Sequence, residues 1–169
     1  KTKDCLVEWA SVGRKYELDE TVLEIIDAPR FKQAKQFNDE ALKRLTQTKS
    51  SNKGSTVVAV KHGKHSLLFT GDIDASQEKR IKNLEQYDVL KVAHHGSKHS
   101  SSLKFLEQVN PKVAVISVGA GNSYGHPHIE TLERLAKVGS KVLRTDELGA
   151  IKMEFSKNDI DCFGYMNNN

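Results

Sequence analysis

D-V-L-K-V-A-H-H-G-S, residues 88–97, decides the reading of this chain. Residues 89–93 form a short apolar run. It is too brief for a helix and is rich in valine, so it reads as a buried strand. The strand ends in His94 and His95, then Gly96 and Ser97. Adjacent histidines leaving an extended strand point in different directions. At most one is then expected to ligate a given metal, leaving the other for substrate. Neutral imidazole suits zinc, and Gly96 allows close approach of backbone to a ligand.

Working outward, residues 67–72 read L-L-F-T-G-D. An apolar strand runs through Thr70 and Gly71 and delivers the Asp72 carboxylate, whose two oxygens can hold or bridge metal ions. The same pattern alone is an ordinary turn. Residues 56–61 and 66–70 make a hairpin around Gly63. A helix over residues 76–84, capped by Asp74 or Ser76, leads into the strand of residues 88–93. Downstream, residues 100–109 form a helix with Ser100, Ser101 or Ser102 as cap. Residues 113–118, V-A-V-I-S-V, form a central strand.

The loop of residues 119–128 contains N-S-Y-G-H-P-H, residues 122–128. Pro127 stiffens the segment between His126 and His128, which can aim an imidazole into a cleft or simply enter a helix. That helix spans residues 129–138 and stops at Gly139. Residues 141–145 and 150–155 are strands joined by residues 146–149, and the tail from Phe163 is expected to fray. Towards the N-terminus, residues 21–28 are a strand ended by Pro29. Residues 6–10 are a short strand, residues 11–19 a loop, and residues 31–48 a helix. Strand–helix alternation in the second half predicts an α/β layered domain, with ligands taken in loops after strands.

Composition agrees. The 169 residues suffice for one domain, and 37% hydrophobic with 28% charged residues is an ordinary soluble mixture. No apolar run approaches the ~20 residues of a membrane helix. The net charge of +4 is milder than a dedicated nucleic-acid binder carries. Most of the excess lies in residues 30–53, a surface that tolerates a polyanion or is simply a solvated helix face. Cys5 and Cys162 make no C-x-x-C pair; one disulfide and two buried thiols are both compatible. Residues 1–5 hold no apolar stretch like a signal peptide. The lack of an initiator Met suggests a piece cut from a longer protein.

Three loops after three strands thus offer Asp72, His94/His95 and His126/His128. The ordered set L-L-F-T-G-D, K-V-A-H-H-G-S and Y-G-H-P-H resembles the metallo-β-lactamase-like domain of ComEC-type competence proteins. S-N-K-G-S-T-V-V (residues 51–58, preceded by Ser50) and R-T-D-E-L-G-A-I (residues 144–151) resemble further segments of that domain. The resemblance implies the C-terminal portion of an αββα sandwich, residues 1–169 forming one domain that continues upstream of Lys1. It implies Asp72 and His95 as metal ligands, with His126 beside a scissile phosphate and His94 on the substrate side. Asn52 and Ser55 are expected to be structural. The cofactor implied is zinc or manganese, two ions in the intact domain and weak or absent binding in this chain alone.

The family's histidine-rich metal motif, H-x-H-x-D-H, is missing: residues 1–61 contain no histidine. The expected function is hydrolysis of phosphodiester bonds in DNA or RNA by metal-activated water. The alternative is a non-catalytic module that binds nucleic acid or a protein. The partners implied are a phosphoester substrate, the upstream part of the same domain and, as in ComEC-type proteins, a membrane channel. A free soluble or exported domain and a domain on the cytoplasmic or extracellular face of a membrane protein are all compatible with the resemblance.

Overall fold

A computed structural model of the protein describes residues 10–28 and 54–165. The strand expected over residues 6–10 (all but Ala10), the helix over residues 31–48, the basic run of residues 30–53, Asn52 and Cys5 lie outside the described residues.

Seven strands form one sheet in sequence order: β1 (Lys15–Leu18), β2 (Thr21–Asp27), β3 (Val57–His62), β4 (His65–Phe69), β5 (Val89–Lys91), β6 (Val113–Ile116) and β7 (Lys141–Arg144). The first four pair antiparallel and the last four parallel. Connection length accounts for every pair except β2 and β3, which are antiparallel although residues 28–56 separate them. Asp19–Glu20 and Gly63–Lys64 are two-residue turns, which permit only antiparallel neighbours. Parallel neighbours need a crossover, usually a helix. Those crossovers contain α1 (Ala75–Glu78), α2 (Leu103–Val109) and α3 (Ile129–Lys137).

Strand residues alternate between two faces. Val57, Ala59, Leu68, Leu90, Ala114 and Ile116 face the helices and join Phe105, Leu106, Val109 and Leu135 in the main core. Their neighbours Leu67, Val89, Val113, Val115 and Leu143 face the other way. There they meet a second sheet of β8 (Ala150–Phe155) and β9 (Ile160–Tyr165), through Ile151, Met153, Phe155, Ile160 and Cys162. Burial on both faces is why residues 113–116 read as an unbroken apolar run. The result is a mixed α/β domain with helix, large-sheet and small-sheet layers. No helix among the described residues is long and apolar enough to cross a membrane.

Five expectations are corrected. The helix over residues 76–84 shrinks to Ala75–Glu78, capped by Asp74 in a capping box with Gln77. The Arg80 and Ile81 amides reach back only three residues, to Gln77 and Glu78, and Asn83 turns left-handed. The Glu78 carboxylate turns inward to accept the amides of Ser101 and Ser102. The loop over residues 11–19 contains β1, whose K-Y-E-L alternation is only four residues long and whose residues are all exposed. The expected neighbours at residues 141–145 and 150–155 belong to different sheets, separated by α4 (Thr145–Leu148). The tail is paired as far as Tyr165, because Phe163 lies opposite Lys152 in the β8–β9 ladder. The α2 helix starts later than expected, with Ser102 as the cap.

Candidate functional site

Strands β4, β5 and β6 are parallel neighbours, so the loops leaving their C-terminal ends share one edge of the sheet. These are the loops carrying Asp72, His94/His95 and His126. Open α/β sheets take ligands at that edge.

Each loop is held by its neighbours. Asp72 donates its amide to Ser55 Oγ at 3.0 Å, which gives Ser55 the structural role expected of it. Gly71 is left-handed, and its carbonyl accepts the His94 amide at 3.0 Å. The Thr70 hydroxyl donates to the Lys91 carbonyl at 2.7 Å. Between β5 and α2, residues Ala93–Gly96 form a tight 3-10 turn with His94 (φ 48°) and His95 (φ 53°) both left-handed. Such backbone costs about 1–3 kcal/mol per non-glycine residue and persists only when its surroundings fix it. Here Gly71 and the Ser97 amide, which donates to the His94 carbonyl, provide that fixing.

The turn changes the reading of the histidine pair. Divergence by strand alternation does not apply to left-handed residues. The two rings lie 6.4 Å apart edge-on, and both border His126, at 5.5 Å for His94 and 6.4 Å for His95. The role expected of Gly96 is also corrected. A Cβ there would lie 2.6 Å from Pro127 Cβ, so the glycine makes room for the third loop instead of a ligand. The Gly96 carbonyl then accepts the His128 amide, and the Ser97 carbonyl accepts the Thr131 hydroxyl, both at 3.0 Å.

In the third loop Asn122 braces His126. Its side-chain oxygen accepts the His126 amide at 3.0 Å, and its nitrogen donates to the His126 carbonyl at 2.7 Å. The His126–Pro127 peptide is cis, and His128 is the N-cap of α3. The His128 ring tilts against His126 at 4.9 Å. Burial pushes the His126 imidazole below the usual histidine range; His128, His94 and His95 push the same way, and Asp72 opposes them. Burial likewise lowers Lys91, against the pull of Asp72.

His95 is oriented by the backbone of a neighbouring strand end. Its Nδ1 lies 2.6 Å from the Ser117 carbonyl oxygen. A carbonyl can only accept, so Nδ1 carries the proton and the neutral ring keeps its lone pair on Nε2. Metal-ligating histidines are oriented in this way. That Nε2 lies 3.9 Å from Asp72 Oδ1, and both side chains are about half exposed, at 49% and 42%. The donor set of one carboxylate and one oriented imidazole fits part of a zinc or manganese site. Among the described residues no three His, Cys, Asp or Glu side chains converge to hold an ion.

Sequence reading thus selected Asp72, His94, His95 and His126, and the fold brings all four together. It missed Ser117, Asn122 and Lys91, whose roles come from backbone contacts and burial that no local pattern marks. His128, paired with His126 in the reading, joins the cluster. His62, His65 and His99 do not.

The metallo-beta-lactamase superfamily model matches residues 7–120. That span includes Asp72, His94 and His95 and ends before His126. The chain is 40% identical over 117 residues to ComE operon protein 3 of Bacillus subtilis, covering 68% of this chain and 15% of that protein. It is 40% identical over 115 residues to Recombination protein 2 of Haemophilus influenzae, with the same two shares. It is 39% identical over 114 residues to Competence protein ComA of Neisseria gonorrhoeae, covering 64% of this chain and 16% of that protein. The chain therefore aligns with only about a sixth of the length of these relatives.

Proposed function

This chain belongs to the metallo-beta-lactamase superfamily, and we propose that it forms part of a metal-dependent hydrolase that cleaves phosphodiester bonds, with nucleic acid as substrate. The observation that carries the proposal is the convergence of Asp72, His95 and His126, from three separate loops, on one sheet edge. A divalent ion held by Asp72 and His95 would supply an activated water and neutralise charge at the phosphate. Ser117 holds His95 in the tautomer that offers Nε2. His126, braced by Asn122, can donate a hydrogen bond to a phosphate oxygen where charge develops. His94, edge-on to His126 on the substrate side, can contact another oxygen of the same group. Competence and recombination, in the relatives' names, support a nucleic-acid substrate.

Two donors hold zinc weakly. Residues 1–61 contain no histidine, so we place the remaining donors upstream of Lys1. The experiment is a nuclease assay on the full-length protein with manganese or zinc, together with its metal content. Metal-dependent cleavage that disappears in Asp72→Ala and His95→Ala is expected. Cleavage unchanged in both variants would sink the hydrolase reading. No bound metal and no cleavage would instead favour a non-catalytic binding module.

A further inference from the structure

Tyr124 is 78% exposed, more than any other large apolar side chain among the described residues. A single exposed aromatic is ordinary on a protein surface. Two features set Tyr124 apart. Its ring lies 5.9 Å from that of His126 at an interplanar angle of 23°, a stacked arrangement. Its loop is also clamped on both sides. The Asn122 side-chain nitrogen donates to the Gly119 carbonyl at 3.1 Å as well as to the His126 carbonyl. The ring is thus presented to solvent from a braced loop, against the imidazole placed beside the phosphate.

We propose that Tyr124 is a base-stacking residue, and that the site takes a single-stranded nucleic acid in preference to a phosphodiester without bases. The proposal rests on the hydrolase reading only in placing a phosphate at His126. A base belonging to the neighbouring nucleotide can then continue the stack from His126 through Tyr124. Every base offers a π face, so such a platform tolerates any sequence. An internal base of a duplex has both faces covered by its neighbours, which leaves an unpaired strand or a frayed end as the ligand. The hydroxyl is not needed for stacking, so phenylalanine and tryptophan should serve in its place.

The test is calorimetric binding to the full-length protein, with manganese present. The two probes are a cleavage-resistant phosphorothioate oligothymidylate and an abasic phosphorothioate strand of the same length. The unmodified protein should prefer the base-bearing strand. Tyr124→Ala should weaken that binding roughly 5- to 150-fold, the range for loss of one stacked base, and leave the abasic strand within about twofold. Tyr124→Phe and Tyr124→Trp should restore the preference. Equal affinity of the unmodified protein for both strands, or an equal loss on both in Tyr124→Ala, overturns the proposal. Asp72→Ala and His95→Ala, assayed for cleavage in parallel, separate the two readings. Cleavage unchanged in both Asp72→Ala and His95→Ala removes the hydrolytic role of this site and leaves base preference to be judged by binding. Absence of base preference removes the stacking role and leaves cleavage standing.

Discussion

The two edges of the large sheet carry the same residue types in opposite circumstances. At the edge where β4 and β5 begin, His62, His65 and Asp88 are all satisfied by the protein. His62 Nδ1 is bonded to the Thr21 hydroxyl at 2.8 Å. Buried His65 donates from Nε2 to the Ser156 carbonyl at 2.7 Å and packs on Phe155, tying the large sheet to the β8–β9 pair. Asp88 accepts the Ser66 amide and hydroxyl and the Lys112 ammonium. At the opposite edge, Asp72 and His95 stand 3.9 Å apart with both side chains about half exposed. One edge uses polar groups to lock strands together. The other holds the backbone of its polar groups and leaves the functional atoms available. A histidine is therefore informative here by the strand end it occupies, more than by its presence.

The sharpest way to break this comparison is to exchange the expected losses. Asp72→Ala and His95→Ala should each lower phosphodiester cleavage at least about a hundredfold, the upper end of what even an outer partner of a metal site costs. Their thermal midpoints should hardly move, because exposed side chains contribute within about 0.5 kcal/mol. A large fall in midpoint with cleavage retained would put Asp72 and His95 in the same class as His65 and Asp88.

The next effects are in stability. His65→Ala removes a buried ring and leaves the Ser156 carbonyl unpaired, so a loss of about 2–3 kcal/mol in chemical denaturation is expected. Cleavage per folded molecule should persist. Gly96→Ala drives a methyl into Pro127 at a left-handed position and should cost about 1–3 kcal/mol as overpacking. It should lower cleavage as well, since the displaced segment carries His126. A Gly96→Ala protein with native stability would mean that the second and third loops are not locked together.

Asp88→Asn should cost about 1–2 kcal/mol at neutral pH by weakening hydrogen bonds to a charged acceptor. Burial works to raise the Asp88 pKa, but the hydrogen bonds from Lys112 and Ser66 outweigh it and lower it. A depressed carboxylate stabilises the fold above its unfolded value of about 3.9 and ceases to do so as pH falls through the folded value. Urea titrations at pH 7 and below pH 4 should therefore show the gap between wild type and Asp88→Asn closing on acidification. A gap independent of pH would contradict the saturated edge.

The smallest effect is a titration. In metal-free protein, nuclear magnetic resonance should find His126 titrating below the ordinary histidine value of about 6.5. Asp72→Asn should move it lower still, because Asp72 is the group that opposes the downward push. An upward movement would mean that Asp72 and His126 do not share the edge.

Much of this was legible in the chain itself. Val89, Leu90, Val113 and Ala114 announce strands buried on both faces. Asp74, Ser102 and Gly139 punctuate helices, and the turn at Gly63 sets one antiparallel hairpin, because these signals are local. Asp72, His94, His95 and His126 stood out for the same reason, as polar residues at the ends of apolar strands. Exposed β1 was invisible, since its strand form comes from pairing with β2. The partner of β8 was equally hidden, because Ile151, Met153 and Phe155 alternate identically whichever strand lies beside them.

What only the tertiary structure decided is which polar atoms remain available. The left-handed turn at His94 and His95 brings both rings to His126, where an extended strand would have separated them. The Ser117 carbonyl selects the nitrogen that His95 offers. Pro127 explains Gly96, and the clamp from Asn122 braces the backbone of the loop that carries Tyr124 and His126. Each depends on groups distant in sequence meeting across strand ends. Residue type and spacing can propose such meetings, but chain packing alone brings them about.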